Sequence, residues 1–180
     1  MLLNAQQSSL LVVDVQEKLA PAVENTRATV DRIAVLMKAA AKLDVPITIT
    51  EHYPKGIGHT VPELAALAPA EAVCEKITFA CQGSEAAAAR LGGLGRPQVV
   101  VAGMETHVCV LQSALSLLAD GYAVFLARDA VSSRRAEDRD TAIERLQRSG
   151  GTIVTTEMVL FEWLERGDTP AFRELLTLIK

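Results

Sequence analysis

The chain has 180 residues, 49% of them hydrophobic, and a formal net charge of −4. This length and composition suit a core built without disulfides or metals, and we expect residues 1–180 to form a single domain. The Lys and Arg residues are scattered rather than clustered, so neither nucleic acid nor an anionic membrane is an expected partner.

The N-terminal residues and the cysteines indicate the cellular compartment in which the protein is expected. Residues 1–6 lack the basic start and apolar middle of a signal peptide, and no apolar stretch approaches the roughly 20 residues that span a bilayer. The cysteines are Cys74, Cys81 and Cys109, an odd number without a C-x-x-C spacing. Free thiols are therefore the better interpretation, and we expect a cytoplasmic protein.

Six apolar runs of strand length alternate with longer segments of helical period. The runs cover residues 10–15, 47–50, 73–79, 98–102, 123–127 and 152–155. Between the first two, Val30, Ile33, Met37 and Ala41 recur every three or four residues, which is typical of a helix that packs on a sheet by one face. The alternation predicts an α/β fold with a parallel sheet covered by helices.

Three further segments carry distinct signals. Residues 53–62 contain two prolines and two glycines, so we expect an irregular loop that follows a strand end and shapes a pocket. The glycine-rich residues 91–97 precede a strand and are interpreted as a connector. Residues 158–180 predict two short helices, whose apolar side chains cap the core or form a subunit contact.

Asp14 and Lys76 are polar residues placed in or at the end of apolar strands. Ligands gather at the carboxyl ends of parallel strands, so Asp14 is a candidate proton acceptor, although a carboxylate there can also serve only to accept backbone hydrogen bonds. Lys76, taken alone, is better explained as an exposed residue of an edge strand. Its functional interpretation is a cation that holds a nearby thiolate or carboxylate in its charged form.

Cys109 follows the fourth strand and a short turn, in the first turn of the next helix. The positive end of that helix favours a thiolate, although cysteine is often just a small buried hydrophobe. With Asp14 and Lys76 it offers a nucleophile, a general base and electrostatic support. A Cys-His arrangement using His107, His52 or His59 stays open as an alternative. Of the other cysteines, Cys74 is interpreted as core and Cys81 as pocket-lining.

The motifs resemble the isochorismatase-like hydrolases, which include nicotinamidases, N-carbamoylsarcosine amidases and isochorismatases. The resemblance rests on LVVDVQ at residues 11–16, on Lys76 before Phe79, and above all on GMETHVCV at residues 103–110. Within that family the chain is most similar to the isochorismatase domain-containing subgroup, through residues 50–58, 60–64 and 129–134. The similarity covers nearly the whole chain.

The resemblance implies a doubly wound, Rossmann-like three-layer fold and a Cys-Asp-Lys triad of Cys109, Asp14 and Lys76. It also implies a cis peptide bond between Met104 and Glu105, with the backbone N–H groups of Glu105 and Cys109 forming an oxyanion hole. The expected substrate pocket is lined by Gln16, Glu51, Tyr53, Phe79 and Thr106. A homo-oligomer is implied as well.

Two departures from the family limit this transfer. Nicotinamidases bind a metal through an Asp-x-His pair after the second strand, whereas this chain has Glu51, His52 and Tyr53 there. Glu51 and His59 could still form an improvised site, but we expect no metal and no cofactor. Glu105 stands where amidases commonly have a small residue, and its charge would repel anionic substrates.

The expected activity is hydrolysis of a small amide, ureido or imide-like substrate through a covalent thioester. One alternative is vinyl-ether hydrolysis as in isochorismatase, in which Asp14 acts as an acid and no thiol is needed. The other is a non-catalytic redox or partner-binding domain, with Cys81 as the resolving cysteine. A dinucleotide-binding oxidoreductase is disfavoured because no G-x-G-x-x-G follows the first strand.

Overall fold

The computed structural model describes residues 1–179 and contains one six-stranded sheet. The strands are β1 (Ser8–Val13), β2 (Ile47–His52), β3 (Val73–Lys76), β4 (Gln98–Met104), β5 (Ala123–Ser132) and β6 (Thr152–Val154). Their order is β3-β2-β1-β4-β5-β6, and every pair of neighbouring strands is parallel. The predicted α/β fold with a doubly wound six-stranded sheet is confirmed.

Within residues 1–179, eight α-helices connect and cover the strands. They are α1 (Thr26–Lys42), α2 (Pro54–Ile57), α3 (Pro62–Ala65), α4 (Glu85–Gly93), α5 (Leu111–Ala119), α6 (Ala136–Arg148), α7 (Thr156–Leu164) and α8 (Pro170–Leu175). Among the described residues, no helix is long and apolar enough to cross a membrane.

The core has two parts, one on each face of the sheet. Successive side chains of a strand point to opposite faces, so Leu10 and Val12 of β1 join one cluster while Leu11 and Val13 join the other. The first cluster is completed mainly by α1 and α7, and the second by α4, α5 and α6. These buried faces explain why the strands read as continuous apolar runs.

Several predicted boundaries differ from the structure. β1 ends at Val13 and β3 at Lys76, because residues 14–16 and 77–79 turn away at the carboxyl edge of the sheet. The segment 53–62 is not wholly irregular, since Pro54 and Pro62 each start a short helix, the position where the missing N–H of proline costs least. The predicted connector at 91–97 begins inside α4, which continues to Gly93.

The two predicted helices near the C-terminus are present as α7 and α8. Leu160 and Trp163 of α7 are buried against the first cluster, so these apolar side chains cap the core of their own chain. Phe161 and Met158 of the same helix stay exposed.

Candidate functional site

Asp14 lies directly after β1, where the chain leaves the centre of the sheet. Its φ of 51° is in the left-handed region, and its backbone N–H donates to the Thr50 carbonyl at 3.0 Å. Its side chain is completely buried and accepts two hydrogen bonds, from Thr50 Oγ1 to Oδ1 at 2.7 Å and from Lys76 Nζ to Oδ2 at 2.6 Å. This carboxylate is therefore fixed in position and charge-paired.

Lys76 is the last residue of β3, and its side chain points into the protein. β3 is an edge strand along which exposed and buried residues alternate, and Lys76 is one of the buried residues. The interpretation of Lys76 as an exposed edge residue is therefore wrong. Besides Asp14, Nζ donates to the carbonyls of Thr78 and Phe79 at 3.1 Å each. All three ammonium protons thus have acceptors, as a buried charge requires.

Cys109 lies in a π-helical turn, Thr106–Val110, that leads into α5. The side chain is nearly buried, with 6% of the residue exposed. Its Sγ lies within 4.8 Å of both a carboxylate oxygen of Asp14 and a ring nitrogen of His52. The predicted nucleophile, base and cation are therefore brought together at the carboxyl edge of the sheet.

The electrostatics of Cys109 differ from the expectation drawn from its place at a helix start. Burial raises the pKa of the Cys109 thiol, the charge of Asp14 raises it further, and Lys76 only partly offsets both, giving a value of about 12. The expected preformed thiolate is wrong, because burial and an adjacent carboxylate outweigh the helix terminus. The resting residue is a thiol beside a carboxylate.

His52, at the end of β2, belongs to the same cluster, although the sequence assigned it only to an alternative Cys-His arrangement. Its ring stacks on Phe79 with centroids 5.3 Å apart, and its backbone N–H donates to Gln16 Oε1 at 2.7 Å. Within residues 1–179, its buried Nδ1 has no hydrogen-bond partner. The rule that drew attention to Asp14, a polar residue at the carboxyl end of a strand, would also have identified His52.

Two residues predicted to line the pocket instead hold the neighbouring loop. Gln16 is fully buried, and its Nε2 donates to the carbonyls of His52 and Gly58 at 3.0 and 2.6 Å. Since both donors of this amide are used, Gln16 ties the loop to β2 and has no N–H left for a ligand.

Glu51 is the second of these residues. Its Oε1 accepts from both the backbone N–H and the hydroxyl of Thr60 at 2.7 Å, and its Oε2 lies 2.9 Å from His59 Nδ1. Burial acts to raise the pKa of Glu51, but the hydrogen bonds from Thr60 and His59 outweigh it and leave that pKa lowered. The postulated metal pair is thus a hydrogen-bonded pair within the loop.

The other predicted pocket residues surround the cluster in different ways. Tyr53 and Phe79 are half exposed. Thr106 is buried three residues before Cys109, and its hydroxyl has no partner in the part of the chain that the structure describes. A cleft of about 400 Å³ is lined by Tyr53, Lys76 and Ile77 among others, and Cys109 is not among its lining residues.

Glu105 precedes the π-helical turn, and the peptide bond between Met104 and Glu105 is cis. Its carboxylate forms a two-pronged ion pair with Arg134, with Nε–Oε1 at 2.8 Å and Nη2–Oε2 at 3.0 Å. The expected repulsion of anionic substrates is weakened accordingly, because the guanidinium neutralises this carboxylate.

The remaining candidates lie outside the cluster. Nδ1 of His107 is 3.0 Å from Ser133 Oγ, and His59 is paired with Glu51, so neither is positioned as a base for Cys109. All three cysteines are free and buried. Asp14, His52 and Cys109 are also the one group of three possible metal ligands among the described residues, but the Lys76 ammonium on Asp14 opposes a cation there.

The chain is similar to known proteins over nearly its entire length. The profile of the isochorismatase domain matches residues 8–158. Isochorismatase domain-containing protein 2A of Mus musculus is 36% identical over 178 residues, which are 97% of this chain and 84% of that protein. The structure of the MAR1 ribonuclease of Caenorhabditis elegans is 33% identical and superposes with a TM-score of 0.93, covering 99% of this chain and 92% of that one.

The YcaC gene product of Escherichia coli, an octameric hydrolase of unknown specificity, gives the same TM-score of 0.93. It is 24% identical and covers 99% of this chain and 90% of that one. At this identity the likeness shows a shared fold.

Proposed function

Because this chain belongs to the isochorismatase family of hydrolases, we propose that it is a cysteine hydrolase acting on a small amide, ureido or imide-like substrate. The observation that carries the proposal is the cluster at the carboxyl edge of the sheet. A thiol faces a carboxylate that is held from its other side by a buried ammonium. A nucleophile next to an oriented base is the arrangement that covalent catalysis requires.

In the proposed first step, Asp14 accepts the proton of Cys109 as Sγ attacks the carbonyl carbon. Since the pKa of this thiol is raised to about 12, proton removal and attack occur together, with general-base catalysis by Asp14. The Lys76 ammonium and the Thr50 hydroxyl hold the Asp14 side chain in place by hydrogen bonds at this stage. The backbone N–H groups of Glu105 and Cys109 are proposed to stabilise the oxyanion.

In the proposed second half, the leaving group takes the proton from Asp14 and departs, which leaves a thioester on Cys109. Water then attacks the thioester, and its proton passes through Asp14 to the departing sulfur. The product acid leaves and the resting thiol is restored. No metal or cofactor enters this scheme.

The enclosure of the site supports a small substrate rather than a polymer. Cys109 is only 6% exposed, and a net charge of −4 does not attract a polyanion. The C. elegans neighbour is called a ribonuclease, so RNA belongs among the compounds tested. We expect no cleavage of RNA by this chain.

The two alternatives are less well supported. Vinyl-ether hydrolysis needs Asp14 as an acid and leaves the Cys109 thiol beside it without a role. A redox role needs a reactive, accessible thiol, whereas Cys81 is completely buried and the pKa values of Cys81 and Cys109 are both raised by burial.

The wider setting is proposed on similar grounds. Three free cysteines suit a reducing compartment such as the cytoplasm. The single sheet, with a core on each face, supports one domain over residues 1–180. The octameric E. coli relative and the exposed apolar side chains support a homo-oligomer.

The test is a panel of small amides, ureido compounds and cyclic imides, with a vinyl ether and RNA included, assayed with the wild type and Cys109→Ala. We expect turnover of at least one C–N compound, its loss in Cys109→Ala, and an acyl group on the Cys109 peptide by mass spectrometry after rapid quenching. The Cys74→Ala variant is the matched control and should retain activity. Turnover that survives in Cys109→Ala would refute the proposal.

A further inference from the structure

His52 is the member of the cluster that the proposed first step does not use. Four neighbouring strands each supply one group to this cluster: Lys76 from β3, His52 from β2, Asp14 after β1 and Cys109 after β4. Three of these groups, the His52 ring nitrogen, an Asp14 oxygen and Cys109 Sγ, lie within 4.8 Å of one another. The three groups therefore converge on one point at the carboxyl edge of the sheet.

The separations fit one small molecule held between the three groups. Cys109 Sγ faces Asp14 and Lys76, whose charges act on its pKa in opposite directions, and the His52 ring nitrogen lies beside the same sulfur. A water that hydrogen-bonds two groups spans them at about 4.5–5.5 Å, given about 2.8 Å for each N–H···O or O–H···O contact. A separation at the 4.8 Å limit of this cluster is therefore one that a single water bridges.

The imidazole is also prepared to hold such a water. Phe79 stacks on one face of the His52 ring, and two hydrogen bonds with Gln16 hold the His52 backbone. Together these contacts fix the orientation of the ring. Nδ1 is buried and has no partner within the described chain, a costly condition unless a ligand or water satisfies it. The neighbouring Asp14 accepts one hydrogen bond from Lys76 and one from Thr50, so its oxygens keep further lone pairs for a proton of the water.

From this arrangement we infer that His52 is a further catalytic residue, whose ring holds the hydrolytic water against the Cys109 thioester by a hydrogen bond. The inference rests on the proposed function, because it concerns the second half of that reaction. The water oxygen forms a bond to the acyl carbon, and its proton moves to Asp14. The C–S bond then breaks, and the Cys109 sulfur takes the proton from Asp14 as the carboxylic acid product leaves.

The roles of the residues are separable by kinetics. His52 acts only after the thioester has formed, whereas Asp14 and Cys109 act in both halves. Removing the His52 ring therefore slows release of the acyl group and leaves its transfer to Cys109 nearly unchanged. A glutamine, which keeps a hydrogen-bonding group at the end of a side chain of similar length, restores much of the rate.

The experiment uses p-nitrophenyl acetate, whose burst of nitrophenol reports acylation and whose steady state reports deacylation. We compare the wild type with His52→Ala, His52→Gln and the matched surface control His59→Ala. For His52→Ala we expect a burst rate within about threefold of the wild type, a steady-state rate lower by at least about tenfold, and acetyl-Cys109 accumulating by mass spectrometry. His52→Gln should recover to within about threefold of the wild type, and His59→Ala should match it.

Three results would overturn the inference: His52→Ala slows burst and steady state equally, it slows neither, or His52→Gln is as slow as His52→Ala. Thermal unfolding of each variant identifies a folding defect. If His52→Ala has one, the rates of His52→Gln are compared with those of the wild type instead. Failure of the proposed function is distinguishable, because the wild type itself would then show no acetyl group on Cys109. In that case the inference about His52 falls with it.

Discussion

At the scale of single residues, the most constrained feature is the buried ion pair of Asp14 and Lys76. Both side chains are completely inaccessible, and their charged atoms are 2.6 Å apart. Desolvating two charges costs several kcal/mol, and only their mutual attraction and the additional hydrogen bonds from Thr50 and to two carbonyls offset this cost. Each partner therefore depends on the other.

Removal of one partner should be worse than removal of both charges. We expect Lys76→Met to lower the free energy of unfolding by about 3–5 kcal/mol, because Asp14 is left charged and unpaired in the interior. The double variant Asp14→Asn/Lys76→Met should regain most of that stability but remain inactive. Urea denaturation measures the effect, and a Lys76→Met protein as stable as the wild type would contradict it.

The raised pKa of Cys109 predicts how the thiol reacts. Below its pKa a thiol is protonated, and since this pKa is raised to about 12, the thiolate fraction at pH 7 is far below that of a free cysteine. Alkylation of Cys109 by iodoacetamide should therefore be slower than that of a cysteine peptide at pH 7. It should still be rising at pH 10, where the peptide has levelled off.

The Asp14→Asn variant tests the cause of this shift. The charge of Asp14 raises the pKa of Cys109, so its removal should lower that pKa and speed alkylation at a fixed pH while turnover is lost. Asp120→Asn, an exposed site, serves as the control of equal charge change and should leave the profile unchanged. Peptide mass analysis follows each cysteine separately. A Cys109 that reacts faster than the peptide at pH 7 would show a preformed thiolate.

At this scale the sequence located most of the cluster but not its electrostatics. Asp14, Lys76 and Cys109 could be identified because each breaks a pattern or matches a motif. The pKa of Cys109 could not be predicted, because it depends on burial and on the distance to Asp14, neither of which is a local property of the helix start. Gln16 and Glu51 were wrongly assigned to the pocket, because their hydrogen bonds to the loop join residues that are separated in the sequence and could not be predicted from it.

At the scale of elements, the approach of β1 to β4 depends on Gly103. This residue has φ +128°, and an ideal Cβ on it would lie 2.1 Å from the Val13 carbonyl oxygen and 2.6 Å from the Val13 nitrogen. Val13 and Gly103 are partners in the ladder of the two central strands. The backbones of β1 and β4 meet here at a distance that no side chain allows.

We expect Gly103→Ala to lower the free energy of unfolding by at least about 3 kcal/mol, because both the contact and the backbone conformation are unfavourable for alanine. Gly92→Ala is the matched control. Gly92 lies in α4, and a Cβ added to it would have nothing within 4 Å, so alanine should stabilise the helix by about 0.5–1 kcal/mol. Denaturant titrations of both variants check the contrast, and equal effects would refute it.

The elements themselves were largely predictable, and their ends were not. Apolar runs identified all six strands. The central strands are apolar because both of their faces are buried, whereas the edge strand β3 alternates exposed and buried residues. The ends of β1 and β3 were placed too late, since Val15 and Phe79 are apolar yet lie beyond the last ladder pair. Apolar character reports burial or a ligand-facing position, and it does not report backbone pairing.

At the scale of the whole molecule, the exposed apolar side chains gather in two places. Tyr53, Val73, Ile77 and Phe79 lie around edge strand β3, and Met158 and Phe161 lie on α7. Ile77, at 70% exposure, is the most exposed of the large apolar residues outside the N-terminus. The unpaired edge of β3 and the exposed side chains around it form the surface on which self-association is expected.

The proposed homo-oligomer should be visible as a mass that is a multiple of 19.3 kDa in light scattering at micromolar concentration. Ile77→Glu should shift the protein toward the monomer, because a charge would be buried at the β3 surface. Met158→Glu, at the α7 surface, is the matched control and should leave the mass unchanged. A wild-type monomer, or dissociation only by Met158→Glu, would contradict this assignment.

The order of the strands also determines when during folding the cluster can exist. β1 and β4 are adjacent, and Ser8 of β1 pairs with Gln98 of β4, so the two central strands come from distant parts of the chain. Closing such a long loop is entropically costly and slow compared with helix formation. On a ribosome, the Cys109 thiol therefore stays apart from the carboxylate and the ammonium until most of the polypeptide has emerged. A nascent chain consequently lacks the assembled cluster.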